Sequence, residues 1–327
     1  MSFYIFAETA FHHEGNKEYL FKLVDAAKFS GANGIKFQVL IDLNEFMSSS
    51  HSAYEEAKSW ILSKIDWQEV FSYAAEQGLD IVLMPLDTKA FELANDFKIK
   101  YLEIHSVSFK DQALFKSLDR TETPLIFGVG GRTKSEIDYV VEKYKDRHVT
   151  LMVGFQSFPT VLKDAKLLRI KELSEIYPNC TIGYADHSAF DSEEAIFSNE
   201  YAYALGARTF EKHITIDEGK ERIDFQSAIG PEKLQQIISK LTDLEKTLEY
   251  EGNSLFDLSD LEVNYRNRQK VPVAKSEIVE GEVILKDMIA LKMIDSKGNI
   301  ENIEEVIGNT NKKNILADAP FYKKDLV

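Results

Sequence analysis

The sequence predicts a TIM barrel, a closed ring of eight parallel strands alternating with helices, followed by a small β-rich domain. Three observations carry that prediction. Short apolar runs alternate with amphipathic helical patterns through the first three quarters of the chain. Eight such units fill about 250 residues, the usual length of a (β/α)8 barrel. No glycine-rich dinucleotide turn follows the first strand, which leaves the runner-up, a doubly wound open sheet, without its phosphate site.

In order, residues 3–7, 17–29 and 34–39 read as strand, helix and strand, a βαβ opening. An irregular, helix-containing insertion spans 41–64. Then come a helix at 67–77, a strand at 79–84, a helix at 88–96 and a strand at 101–104. Further strands are expected at 124–129, 148–153, 180–183 and 208–212, with helices at 134–144, 167–176, 193–205 and 231–248. The barrel domain is therefore drawn at 1–250. Residues 251–270 are polar and read as a linker or arm. Residues 271–327 hold short apolar segments at 271–278 and 285–293 around Glu280-Gly281, then a similar stretch at 314–326. Such a unit of roughly 55 residues needs support from the barrel or a second subunit.

Composition narrows the function. With 44% hydrophobic and 28% charged residues the chain has the make-up of a globular protein. A formal net charge of −15 and the lack of a basic cluster argue against nucleic acid or an anionic membrane as partner. Cys180 is the single cysteine, so no internal disulfide forms and a reducing compartment is expected. No signal peptide or membrane span is evident, and the expectation is a cytoplasmic protein.

In a barrel of this kind the chemistry lies where the strands end. Strand one ends at Glu8, followed by His12, His13 and Gly15; strand two carries Lys36 and Gln38; strand four ends at His105-Ser106. Strand five runs into Gly130-Gly131-Arg132-Thr133, and strand six ends near Gln156, Phe158 and Pro159. The last two strands deliver Asp186, His187, Glu211, Lys212 and His213, with Asp224, Gln226 and Ser227 in the loop after them. The stretches GYADHS (183–188) and FEKHIT (210–215) place one histidine at each of two neighbouring strand ends, where they can converge on one divalent ion. The other reading is that each histidine only hydrogen-bonds in the core. Lys36, inside the strand-like GIKFQV, either holds a phosphate or carboxylate or pairs with an interior acid such as Glu8. Residues 130–133 form either an anion-binding nest at a helix N-terminus or a plain turn.

At these residues the sequence resembles the sialic acid synthase (N-acetylneuraminate synthase) family, enzymes that condense phosphoenolpyruvate with an N-acylmannosamine-type sugar. AETAFHHEG (7–15), DAAKFSGANGIKFQ (25–38), GYADHS, GARTFEKHIT (206–215) and DFQSAIGPEKL (224–234) keep the family's order. VAKSEIVEGEVI (273–284) and DAPFYKKDL (318–326) resemble its C-terminal antifreeze-like (SAF) domain. The resemblance implies His187 and His213 as ligands of manganese or magnesium, and Glu8, His187 and His213 as the catalytic set. It implies sugar contacts from Glu8, Gln38 and Asp224, and a phosphoenolpyruvate contact from Lys36. The expected substrate-binding set is Lys36, Gln38, His105, Ser106, Arg132, Gln156, Phe158, Asp186, Glu211 and Asp224. The product implied is a 2-keto-3-deoxy nonulosonate for a surface polysaccharide or glycan, formed as C3 of phosphoenolpyruvate attacks the sugar aldehyde and phosphate leaves. A homodimer is also implied, with the appendix of one chain over the barrel mouth of the other.

The chain departs from the family pattern at several places. Glu103 stands where the family has a phosphate-binding lysine, GVGG (128–131) replaces Ser-Thr-Gly-Met, Ala185 and Phe158 replace a serine and a tyrosine, and Met293 replaces a sugar-binding arginine. His105 and Arg132 are the expected substitutes for the lost cations. These departures leave open a rewired phosphoenolpyruvate site, a metal-dependent aldolase or lyase with a different three-carbon donor, and a non-catalytic sugar-binding homologue.

Overall fold

The computed structural model describes residues 3–154, 157, 159–248, 254, 256–295 and 298–327. The chain divides into two compact units, Met1–Glu249 and Tyr250–Val327. In the first, β1 (Tyr4–Glu8), β2 (Gly34–Val39), β3 (Asp80–Pro85), β4 (Ile99–Ile104), β5 (Leu125–Gly128), β6 (Val149–Val153), β7 (Thr181–Asp186) and β8 (Thr209–His213) form a closed parallel barrel. Closure comes from β1 pairing β2 on one side and β8 on the other. This is the TIM barrel expected from the alternating pattern.

Strands buried on both faces explain the near-continuous apolar runs. One set of side chains points outward under the helices, where Phe37 stacks on Phe71 with ring centroids 5.0 Å apart. The other set fills the lumen, where Phe6, Val82, Ile126, Met152 and Ala185 form a plug. Gly183 belongs to this packing. A Cβ there would meet Met152 Sδ and lie 2.9 Å from the Thr209 carbonyl oxygen, so only glycine fits against β6 and β8.

The helices follow the sequence reading, with short helices at Leu162–Ala165 and Asp260–Arg266 that it did not assign and two further differences. A helix at Gln112–Leu118 follows β4, which the residue pattern left unassigned; it is short, but Asp111 caps it by accepting from Ala113 and Leu114 N–H. The expected helix at 88–96 is two single turns, Thr88–Phe91 and Leu93–Asp96. Among the described residues no helix is long and apolar enough to cross a membrane.

The second unit has its own small core of Ala274, Ile278, Ile284, Ile289, Ile300, Val306, Ile315, Phe321 and Leu326. An antiparallel pair, β9 (Val271–Ala274) and β10 (Ile289–Lys292), and isolated bridges hold it together. The buried Asn311 amide donates to the carbonyls of Val279 (2.7 Å) and Lys313 (2.9 Å), tying two loops. Ser259 and Glu262 form a capping box for the helix Asp260–Arg266, none of whose residues is buried.

The fit of Gly183 gives a test of the barrel packing. Gly183→Ala should lower stability by about 1–3 kcal/mol through overpacking, read as a fall in denaturation midpoint; an unchanged midpoint would show that β6 and β8 yield at this point.

Candidate metal and substrate site

The site lies where β1, β2, β4, β7 and β8 end. Parallel register sets Glu8 opposite Lys36 on β2 and opposite His213 on β8, and Ala185 opposite Glu211. Because side chains alternate along a strand, Glu211 and His213 face the same side, as do Ala185 and His187. The His187 and His213 rings lie 4.8 Å apart between centroids. One donor atom from each of Glu8, His187, Glu211 and His213 lies within 4.8 Å of all the others, and all four residues are buried.

Second contacts aim these groups. His187 Nδ1 lies 3.1 Å from the Ala185 carbonyl oxygen, so Nδ1 carries the proton and Nε2 is the nitrogen with the lone pair. The His187 carbonyl accepts from Ser227 Oγ and from Thr160 N–H, each at 2.8 Å, and the His213 carbonyl accepts from Ile229 N–H at 3.0 Å. Burial holds the His187 imidazole well below its ordinary pKa, with the adjacent His213 adding to the effect. Two imidazoles and two carboxylates this close are a donor set that suits a divalent ion such as manganese, and the residues fit one. Glu8 Oε2 lies 2.9 Å from His213 Nε2.

Beside this cluster, the Lys36 ammonium lies 3.1 Å from Glu8, 3.0 Å from Glu103 and 2.8 Å from Glu211, all nearly inaccessible to solvent. Burial alone would lower the lysine, but Glu103, Glu211 and Glu8 outweigh it and hold it above its ordinary value. Burial raises both Glu103 and Glu211, Glu211 the more strongly, with the charge of Glu8 adding in each case. Burial also works against ionised Glu8, but Lys36 and His213 overcome it and keep Glu8 well below the usual carboxylate range. Gln38 Nε2 donates to Glu8 Oε1 at 2.7 Å. Of the two readings of Lys36, the structure gives pairing with interior acids.

A cleft of about 450 Å³ opens here, lined by Glu8, Lys36, Gln38, Glu103, His105, Ser106, Gly128, Gly130, Met152, Ala185, His187, Glu211 and His213. Eight of the expected site residues thus meet in one place. Asp224 has a left-handed backbone (φ 63°), and burial raises its carboxyl, with the charges of His213 and Glu8 close enough to act on it. Gln156 and Phe158 lie outside the described residues. His105 Nδ1 accepts from Val107 N–H at 3.2 Å, and burial, with Lys36 nearby, pushes its pKa down to about 4.

Two expectations need correction. Asp186 does not line the cleft, because alternation turns it outward. There it pairs with Lys212 (3.3 Å) and accepts from Asn199 Nδ2 (2.9 Å) and Ser188 N–H (2.9 Å). Arg132 does not replace the lost cation. Its guanidinium sits over the Phe109 ring at 5.7 Å and 3.8 Å from Glu136. Glu136 also closes a capping box with Thr133, so the 130–133 segment is a turn whose helix N-terminus is already occupied by a carboxylate. Glu103 is the residue whose part the sequence reading missed. It appeared there only as a lost lysine, whereas in the fold it is Lys36's partner from β4.

His12 and His13 stand apart from the cleft. His12 bridges the Ile223 carbonyl (2.7 Å) and Thr215 Oγ1 (2.8 Å), while His13 packs edge-on against Trp67.

A family model described as the NeuB family matches residues 23–253. An uncharacterised protein of Methanocaldococcus jannaschii is 30% identical over 292 residues, 88% of this chain and 84% of that one. The N,N'-diacetyllegionaminic acid synthase of Campylobacter jejuni is 22% identical over 96% of this chain and 97% of its own length. Among solved structures, a Chromobacterium violaceum protein named for spore coat polysaccharide biosynthesis superposes with a TM-score of 0.86 at 23% identity, covering 100% of both chains, which shows a shared fold.

Burial pushes His12 down to about 4 and His13 to about 3. Both folded-state values lie below the unfolded value of about 6.5, so the stability from neutral imidazole is complete above that pH and is lost as pH falls toward 4. Melting temperature should therefore fall between pH 7 and pH 5, and His12→Gln should flatten that slope; an equally steep slope in the variant would remove His12 from the account.

Proposed function

The chain belongs to the NeuB family, the sialic acid synthases, and from that premise we propose that its barrel joins a three-carbon donor to the aldehyde of an N-acylated amino sugar. The product is a sialic-acid-like 2-keto-3-deoxy acid destined for a surface polysaccharide or glycan. The observation that carries this reading is the buried quartet of Glu8, His187, Glu211 and His213 at the barrel's C-terminal mouth. Phosphoenolpyruvate is the donor that the family resemblance implies.

In this reading His187 and His213 would hold the divalent ion, with the carboxylates of Glu8 and Glu211 within reach of it. When bound, such an ion supplies Lewis-acid polarisation of a carbonyl. The protein's own groups do the rest. Glu8, kept ionised by Lys36 and His213 and oriented by Gln38, is placed to accept or return a proton at the reacting oxygen. Lys36 balances the charge of the acids around it. Buried walls keep bulk water from the reacting carbon, which strengthens each electrostatic contact.

The C-terminal unit is read as the antifreeze-like domain, on the resemblance of residues 273–284 and 318–326. The chain is read as a homodimer associating through that unit. What supports the dimer is the amount of apolar side chain left in solvent there: Phe256 is 88% exposed, Leu261 80%, Tyr265 74% and Met293 62%.

Two measurements test these readings. His187→Ala should abolish carbon–carbon bond formation and lower manganese affinity at least 100-fold, while the melting temperature of the metal-free protein moves little. Intact turnover with a large stability loss would make the imidazole structural. Sedimentation of the full chain should give a dimer that Leu261→Glu with Tyr265→Glu weakens; a monomer at micromolar concentration would remove the dimer reading.

A further inference from the structure

The loop after β8 leaves the barrel at Ile214 and Thr215 and returns at Ile229, which bridges back to Ile214. Its tip, residues 218–221, is exposed, while Asp224 on the returning limb is partly buried and has the left-handed φ of 63°. A residue with a Cβ holds that conformation only where its neighbours fix it. On one side a turn at Phe225–Ser227 does so: the Ser227 N–H donates to the Asp224 carbonyl at 3.2 Å, and the Ser227 hydroxyl donates to the His187 carbonyl at 2.8 Å. On the other side the loop after β1 takes both backbone groups of Ile223. Glu14 Oε1 accepts from the Ile223 N–H at 3.1 Å, and His12 Nδ1 lies 2.7 Å from the Ile223 carbonyl oxygen.

A carbonyl only accepts, so His12 Nδ1 carries the hydrogen, and in the neutral ring Nε2 accepts from Thr215 Oγ1 at 2.8 Å. That uses the one hydrogen of Thr215. Its lone pairs then receive the Tyr19 hydroxyl and the Asp217 N–H, each at 3.1 Å. A single imidazole thus clamps the outgoing limb of the loop to the returning one. Arg222 closes the outside, donating to Glu14 at 2.9 Å with its guanidinium 4.1 Å from the Tyr19 ring centre. The Asp224 carboxyl differs from these groups: among the described residues no N–H or O–H donates to it, and the charges that act on it are those of His213 and Glu8. A partly buried carboxyl with unused acceptors beside the cluster suits hydroxyl hydrogens, of which an open-chain sugar offers several.

We propose that His12 is a positioning residue: through the Ile223 carbonyl it holds Asp224 where that carboxyl accepts a hydrogen bond from a hydroxyl of the acceptor sugar. The clamp stands on geometry, while its use on the sugar rests on the carbon–carbon bond-forming reading above.

The test uses the full chain with manganese, phosphoenolpyruvate and either N-acetylmannosamine or a diacetylated amino sugar, with KM and kcat measured for each substrate. His12→Gln reaches toward Thr215 but offers Ile223 no donor, so the KM of the sugar should rise about tenfold, the loss of one hydrogen bond, while that of phosphoenolpyruvate stays put and kcat changes far less. His12→Asn sets an amide N–H where Nδ1 stood and should restore most of the sugar KM. Asp224→Asn should raise that KM at least as much as His12→Gln, and combining the two should add little, because both changes act on one contact. Additive losses in the double variant, no rescue by asparagine, or a fall in kcat with the sugar KM unmoved would each overturn the proposal. Should His12→Gln fail to fold, Thr215→Val, which frees Nε2 and lets the ring turn, should raise the sugar KM about threefold, and an unmoved KM would overturn the proposal equally. Hydrogen exchange separates this proposal from the reading beneath it. If the unmodified protein forms no product with either sugar, the bond-forming reading fails, and the amides of Phe225 and Ser227 judge the clamp alone: about tenfold faster exchange in His12→Gln upholds it, and an unchanged rate overturns it.

Discussion

One lysine ammonium in contact with three carboxylates organises the mouth of this barrel. Lys36 comes from β2, Glu8 from β1, Glu103 from β4 and Glu211 from β8, so the ion cluster spans half the circumference. Taking four ionisable groups out of water is expensive, and removing one partner from a buried cluster typically costs about 3–5 kcal/mol because the others are left uncompensated. The cluster is therefore weak evidence for stability. Its value lies in position: Glu8 stands 3.1 Å from Lys36 and 2.9 Å from His213, so the cluster and the imidazoles share one carboxylate.

A second buried ion pair does the corresponding work on the barrel's outer side. Asp186 and Lys212 are each fully buried and each directly precede a histidine of the site. Asp186 accepts from the Ser188 N–H and hydroxyl, and Lys212 donates to the Ser188 carbonyl, so the turn after His187 is held through every polar group of Ser188. The loop after β8 adds the bonds from Ser227 and Ile229 to the two histidine carbonyls. The imidazoles thus sit on backbone fixed from both sides, as a metal site requires of its ligands.

The barrel was legible in the sequence because its signal is repeated: eight apolar runs, each followed by an amphipathic pattern, survive local ambiguity. The helix Gln112–Leu118 was not, being only seven residues long, although Asp111 marked its start. The two histidines were legible because strand ends at known spacing put them on one side of adjacent strands. Asp186 was misread for want of the same argument, since the alternation that points His187 inward turns its neighbour outward. Arg132 was misread because proximity in sequence to a strand end does not say where a long side chain goes, and Phe109 and Glu136 claim it. The role of Glu103 needed three dimensions, because its partner Lys36 lies 67 residues away on a strand that is not its neighbour in the sheet.

That separation has a chemical consequence. In a barrel each strand end adds its side chain to the mouth independently, so one sector can change while another is kept. The four groups that could hold a metal come from β1, β7 and β8 and the residue after β7, and the registers of these strands with one another are continuous. Glu103, which accepts from Lys36 through both carboxylate oxygens, comes from β4, with β3 between the two strands in the ring. Glu103 and the two imidazoles are, in this architecture, carried by separate strands of the ring, so neither is fixed by the other's backbone.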